Sequence, residues 1–82
     1  MDIDQLIAFE RVVREGSFSK AAWSLGIAQP TISARIQTLE QTVGGSLFHR
    51  GRTVKLTERG ISFLPYARRM VTTLQEGLEA VR

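Results

Sequence analysis

Residues 16–45 read GSFSKAAWSLGIAQPTISARIQTLEQTVGG and contain two helical patterns separated by a glycine. Gly26 permits a sharp turn after the first helix, and Pro30 stands in the first turn of the second, where its missing N–H costs nothing. Ala22 is small, which lets the second helix pass close over the first, and Ile32 anchors the second helix to the core. This spacing is typical of a helix-turn-helix motif, although a plain helical hairpin uses the same residue types.

The flanking sequence predicts three further elements. Apolar residues recur every three to four positions from Ile3 to Val13 and predict a first helix. Two short strands are predicted at 47–50 and 54–56, joined by a tight turn. Thr57 caps a last helix that would extend about 37 Å at ~1.5 Å per residue. The predicted fold is mostly α: a winged helix-turn-helix, with three helices and a short β-hairpin wing, followed by a long helix.

Composition and charge narrow the function. The 82-residue chain has no cysteine, and its single histidine, His49, has no partners for acid–base, metal or nucleophilic chemistry, so we expect neither an enzyme nor a cofactor. The amino terminus is acidic, unlike a secretory signal, and no apolar run approaches the ~20 residues that span a bilayer. We therefore expect a soluble, cytoplasmic protein with no membrane partner.

The positive charge is concentrated in the middle of the sequence. Residues 20–69 hold eight basic and two acidic residues, a net charge of +6, whereas residues 1–19 carry −2 and residues 70–82 carry −1. A basic middle indicates a polyanionic partner.

The second helix of the motif, about 29–43, has an uncharged outward face near its start. When Ile32, Ile36 and Leu39 face the core, the opposite side carries short side chains instead of the Glu and Lys pairs of a solvated face. Glutamine can pair with adenine, and an alanine methyl can contact thymine. We therefore expect contacts with base edges in the major groove of double-stranded DNA from Gln29, Pro30, Thr31, Ser33, Ala34 and Gln37.

Other polar residues lie where contacts with the DNA backbone are needed. Phosphate contacts supply position and salt-sensitive affinity, and the first amides of a helix can bind a phosphate. Arg52, near the tip of the predicted wing (50–55), can enter the minor groove or remain a solvated loop arginine. The candidates for backbone or minor-groove contact are Ser17, Ser19, Arg35, Arg50, Arg52 and Lys55.

Trp23 leaves a second hypothesis open. It stands at a helix position that is usually polar in such motifs, and an exposed tryptophan would suit a protein partner. Alternatively, it packs partly against the hairpin or the first helix. A winged-helix module that serves only protein contacts has no affinity for duplex DNA, whereas the affinity of a DNA binder falls linearly in log salt.

Several short motifs are shared with a known family. They are GSFSKAA at 16–22, LGIAQP at 25–30, Ser33, Leu39-Glu40, Gly44, LFHR at 47–50 and LTERG at 56–60. With these motifs, essentially the whole chain resembles the N-terminal domain of LysR-type transcriptional regulators of bacteria. Three positions depart from the family pattern: Ala34 replaces a frequent arginine, Ala28 replaces a frequent capping Ser or Thr, and the wing turn is one residue shorter than usual.

The resemblance implies a division of the chain and a homodimer. Residues 1–57 correspond to the winged helix-turn-helix domain, and residues 58–82 to a linker helix that pairs with the same helix of a second subunit. The implied dimer interface consists of Phe63, Ala67, Met70, Leu74, Leu78 and Val81. The dimer, or a dimer of dimers, is expected on an interrupted palindrome, with Gln29, Pro30 and Ser33 in the groove and Arg52 on the wing.

The resemblance also implies a further domain. Family members continue into a larger α/β domain that binds a small-molecule co-inducer. The last helix reaches Arg82 without a stop signal, so we expect an excised DNA-binding fragment.

Overall fold

The computed structural model describes all 82 residues and contains four α-helices. Helix α1 spans Ile3–Glu15, α2 spans Phe18–Leu25, α3 spans Gln29–Val43 and α4 spans Glu58–Ala80. The mostly helical fold and the order of the helices are confirmed. None of the four helices has the length and apolar character needed to cross a membrane.

Side-chain caps explain where three of the helices begin. The Asp2 carboxylate accepts a hydrogen bond of 3.0 Å from the amide of Asp4 at the start of α1. The Ser17 hydroxyl accepts a hydrogen bond of 3.1 Å from the amide of Lys20 at the start of α2, and the Thr57 hydroxyl accepts one of 3.1 Å from the amide of Gly60 at the start of α4. Helix α3 begins after Ala28 without a side-chain cap, as the sequence predicts. That missing cap costs about 1 kcal/mol relative to Ser or Thr.

The core forms where the first three helices meet the start of α4. Phe9 of α1 is fully buried, and its ring centroid lies 5.5 Å from that of Phe48 and 5.8 Å from that of Phe63. Ala22 and Ile32 are buried as predicted, and Gly26 ends α2 with a left-handed φ of 69°. The helix-turn-helix packing expected from these three positions is therefore confirmed.

The predicted β-hairpin wing is not confirmed. In place of strands at 47–50 and 54–56, the structure has one antiparallel bridge between Phe48 and Leu56. Beside it, the amide of His49 donates a hydrogen bond of 2.8 Å to the carbonyl oxygen of Lys55. A two-stranded ribbon this short has no third strand to support it, so pairing stops after the first residues. We call residues 48–56 the wing loop.

The base of the wing loop is fixed to the start of α4. The amide of Thr57 donates a hydrogen bond of 3.0 Å to the carbonyl oxygen of Leu47, and the Thr57 hydroxyl donates one of 2.6 Å to the carbonyl oxygen of Ser46. Gly60 is buried directly beneath, and a Cβ atom on it would collide with the carbonyl oxygen of Leu47. A glycine is required at position 60 because two backbone segments touch there.

Only the first half of α4 packs against the rest of the chain. Ala67 and Val71 are buried in the core, whereas every residue after Val71 is exposed. Two residues that the resemblance assigns to the dimer interface contribute to the chain's own core: Ala67 is 0% exposed, and Phe63 packs against Phe9. The apolar stripe first packs in the chain's own core and then continues beyond the start of α1.

Candidate nucleic-acid interface

The buried stripe of α3 turns its opposite face to solvent. Ile32, Ile36 and Leu39 are buried, and this fixes the rotation of the helix about its own axis. The side chains that the sequence assigns to base edges are all exposed: Gln29, Pro30, Thr31, Ser33, Ala34 and Gln37. The polar side chains of α3 that bond within the chain are in its later part, on Thr38, Glu40 and Thr42. The start of α3 thus presents donors and acceptors that are not used internally.

Two depressions bring many of the candidate residues together on one side of the molecule. The first, of about 280 Å³, is lined by Ser17, Ser19, Gln29 and Arg52. The second, of about 410 Å³, is lined by Ser33, Gln37 and Arg50. His49 lines both depressions, so the wing loop lies beside the start of α2 and beside the exposed face of α3.

The remaining candidates lie outside these depressions. Arg35 is half-buried on the flank of α3, and Lys55 is exposed on the far arm of the wing loop. Pro30, Thr31 and Ala34 line neither depression and face open solvent.

The start of α2 is organised by two hydroxyl groups. The Ser17 hydroxyl is already used as the helix cap, and it lies 3.2 Å from the hydroxyl of Ser19. Ser19 is exposed at the rim of the first depression. The Ser19 hydroxyl and the free amides of the first turn can therefore serve an anion at this end of α2.

The cations of this region have no carboxylate partner. The two salt bridges of the chain, Arg14 with Glu10 and Arg82 with Glu79, both lie elsewhere. The one acidic residue in 16–57 is Glu40, and its carboxylate accepts a hydrogen bond of 2.7 Å from the amide of Leu47. The cations of residues 16–57, none of which forms a salt bridge, are Lys20, Arg35, Arg50, Arg52 and Lys55.

The far end of α3 is held by a residue that no sequence pattern indicates. The Arg59 guanidinium donates a hydrogen bond of 2.9 Å to the carbonyl oxygen of Val43, and it lies against Gly45. Arg59 is 16 residues from Val43, so helical periodicity carries no sign of this contact. The only local signal is a basic residue in the first turn of a helix, where the macrodipole disfavours positive charge.

Trp23 is 88% exposed. The alternative in which it packs against the hairpin or the first helix is therefore wrong. A second exposed apolar surface lies on the far half of α4 and consists of Met70, Leu74, Leu78 and Val81. This surface adjoins a depression of about 450 Å³ between the start of α1 and the middle of α4. Ile3 and Met70 form part of its lining.

Comparison with known proteins identifies related chains. A family model described as bacterial regulatory helix-turn-helix protein, lysR family, matches residues 3–61. A probable RuBisCO transcriptional regulator of Cyanidioschyzon merolae is 48% identical over 80 residues, which are 96% of this chain and 26% of the relative. An HTH-type transcriptional regulator of Azotobacter vinelandii is 44% identical over 82 residues, which are 99% of this chain and 57% of the relative. The chain thus spans only part of each relative.

Solved structures have the same fold. The DNA-binding domain of BenM in complex with catB site 1 DNA superposes with a TM-score of 0.91 at 40% identity, covering 99% of this chain and 92% of that one. Oxidised OxyR of Corynebacterium glutamicum gives a TM-score of 0.95 at 29% identity, covering 99% of this chain and 26% of that one.

Proposed function

The chain belongs to the lysR family of bacterial regulatory helix-turn-helix proteins, whose matched members are transcriptional regulators and not enzymes, and we propose on that premise that it binds a specific sequence in double-stranded DNA. The observation that carries the proposal is the exposed, uncharged start of α3 beside cations that have no carboxylate partner. The DNA complex of the similar BenM domain supports the same partner for this chain.

We propose that α3 enters the major groove with its amino-terminal half. Gln29 and Gln37 have amide groups that can pair in bidentate fashion with adenine, and the methyl of Ala34 can contact thymine. Because Ala34 stands where the family often has an arginine, the preferred base at that position differs from that of arginine-bearing relatives. The proposed contacts with base edges are Gln29, Pro30, Thr31, Ser33, Ala34 and Gln37.

Contacts with the DNA backbone are proposed on both sides of α3. The hydroxyls and amides at the start of α2 hold one phosphate, and the wing loop approaches the minor groove with Arg52 at its tip. The lining of the first depression by Ser19, Gln29 and Arg52 supports a common DNA surface. The full proposed set is Ser17, Ser19, Arg35, Arg50, Arg52 and Lys55.

We further propose that residues 1–57 form the DNA-binding unit and residues 58–82 the linker that joins two copies. The exposed part of the apolar stripe on α4 supports this arrangement, and the interface is narrowed to Met70, Leu74, Leu78 and Val81. A paired dimer would place two α3 helices in successive major grooves about 34 Å apart.

The test is selection of bound sites from a random duplex pool, followed by titration of the selected site and a scrambled duplex at several salt concentrations. We expect one enriched sequence with two half-sites, bound on the order of 10³-fold or more tighter than the scrambled duplex. Equal affinity for both duplexes would contradict sequence-specific binding.

A second candidate function is a module for protein contacts alone. The 88% exposure of Trp23 is the observation that favours it. In the same titration, the absence of affinity for any duplex would select this function over DNA binding.

A further inference from the structure

We propose that Trp23 is an additional contact between α2 and the DNA backbone, one helical turn beyond the phosphate site at the start of α2. This inference rests on the proposed function and extends it by one residue. Trp23 has the largest exposed fraction among the large apolar side chains of the chain, at 88%.

The Trp23 side chain does not contribute to the hydrophobic core. Its neighbours Ala21 and Ala22 are buried against the rest of the domain, whereas the Trp23 ring projects into solvent. No aromatic pair or hydrogen bond within the chain involves its ring. An indole is a large apolar surface with a single polar donor, and it is stabilised when both are covered. Solvent satisfies only the donor.

The position of Trp23 on α2 places it toward the DNA backbone. In a helix-turn-helix, the first helix crosses the backbone while the second lies in the major groove. Trp23 follows Ser19 by four residues and Lys20 by three, so the three side chains share one face of α2. Because Ser19 lies at the rim of the depression that contains Arg52, Trp23 extends that surface by one turn, about 5.4 Å.

The charge around Trp23 fits a polyanion. Residues 16–39 contain no Asp or Glu, and their only charged side chains are Lys20 and Arg35. A surface with cations and no carboxylate complements phosphate and repels a basic protein partner. The same charge pattern does not favour a contact between Trp23 and a cationic peptide.

The chemistry of the contact is specific. The indole Nε1–H is a donor only, so it can donate to a phosphate oxygen but cannot accept from a base. The flat ring can cover the apolar face of a deoxyribose at the same time. Since the group is neutral, it releases no counterion from DNA. Trp23 should therefore add affinity without adding salt dependence.

The chain offers a direct probe, because Trp23 is its only tryptophan. The intact chain is titrated with a duplex that carries the selected site and a long flank beside α2, and with a second duplex in which that flank is truncated. Labelled DNA reports binding by anisotropy, while tryptophan emission and its quenching by a neutral small molecule report on Trp23. On the long duplex we expect the emission to shift to shorter wavelength and the quenching to fall. On the truncated duplex, binding persists and both Trp23 signals are lost.

Variants separate the roles of the ring and the charge. We expect Trp23→Ala to weaken binding to the long duplex on the order of 2- to 10-fold, the loss of one net hydrogen bond, with an unchanged salt slope. Trp23→Phe keeps an aromatic ring but lacks the indole N–H, so it should lose less affinity than Trp23→Ala. Lys20→Gln should instead flatten the salt slope. Tyr66→Ala removes an exposed aromatic from α4, which makes no contact with α2, and should bind as wild type.

Each result decides one question. Binding by anisotropy with unchanged emission and quenching, together with wild-type affinity of Trp23→Ala, overturns the role of Trp23 and leaves the proposed function intact. The absence of any duplex affinity overturns the proposed function itself. A change in emission that develops without DNA as the protein concentration rises assigns Trp23 to a contact between copies of the chain, and this also overturns the proposal.

Discussion

The guanidinium of Arg59, in the first turn of α4, donates a hydrogen bond of 2.9 Å to the carbonyl oxygen of Val43, the last residue of α3. Helix α3 has no basic residue in its own last turn, so Arg59 supplies the positive charge that stabilises the negative end of the helix dipole. The helix proposed to contact bases is therefore fixed to the helix proposed to join two subunits.

Replacement of Arg59 should lower the stability of the domain. We expect Arg59→Ala to reduce the free energy of unfolding by about 1–2 kcal/mol, because a charge-assisted hydrogen bond and a favourable charge at the end of α3 are both lost. Urea denaturation followed by circular dichroism measures the change. Arg59→Lys keeps the charge and should lose less; equal stability of Arg59→Ala and wild type would show that the contact is not formed in solution.

Removal of single side chains from the start of α3 should reduce specificity. We expect Gln29→Ala and Ser33→Ala each to reduce the difference in binding free energy between the selected and a random duplex by on the order of 1–3 kcal/mol. Competition titration at fixed salt measures this difference. The control is Gln41→Ala, which changes an exposed glutamine farther along α3. Equal losses on the two duplexes would mean that Gln29 and Ser33 do not contact bases.

Removal of the arginine from the wing loop should weaken binding without changing specificity. Arg52→Ala is expected to weaken binding to specific and random duplexes alike and to reduce the salt slope by about 1, because one phosphate contact is lost. Affinities at a series of salt concentrations give the slope. Arg82→Ala removes an arginine that is paired with Glu79 and should leave the slope as it is. An unchanged slope for Arg52→Ala would exclude a phosphate contact.

A charge on the exposed stripe of α4 should separate the subunits. We expect Leu74→Glu and Leu78→Glu to convert a dimer into a monomer, because each would bury an unpaired carboxylate in the interface. Sedimentation velocity measures the change. Thr72→Glu adds the same charge to the opposite side of α4 and should leave the dimer intact. A monomeric wild-type chain would contradict the proposed interface before any variant is made.

The helices could be predicted because their signals are local. Apolar periodicity and the caps at Ser17 and Thr57 fix where α2 and α4 begin, and the outward face of α3 follows from the buried residues on its other side. The exposure of the candidate base-contacting residues could therefore be predicted from the sequence. Their roles in DNA binding remain proposals.

The features that could not be predicted from the sequence have a common physical cause, because each depends on contacts between segments that are distant in the chain. The stripe of α4 has one periodicity throughout, but its last buried residue is Val71, and the sequence does not show which part of α4 lies beside the start of α1. The wing segments have strand-like composition, yet pairing stops at Phe48 and Leu56. Arg59 contacts a carbonyl oxygen on another helix, and no pattern within α4 indicates that contact.

Gly60 lies in tight contact with the carbonyl oxygen of Leu47. The base and the tip of the wing loop therefore differ in how freely they can change during evolution. Insertions at its base would displace α4, the helix proposed to join two copies, whereas residues 50–54 form no backbone hydrogen bond to the rest of the domain. In the proposed dimer, the tip can therefore change in length and sequence while the spacing between the two α3 helices stays constant. If the wing loop contacts the minor groove as proposed, sequence preference there can diverge without a change in the arrangement of the two α3 helices.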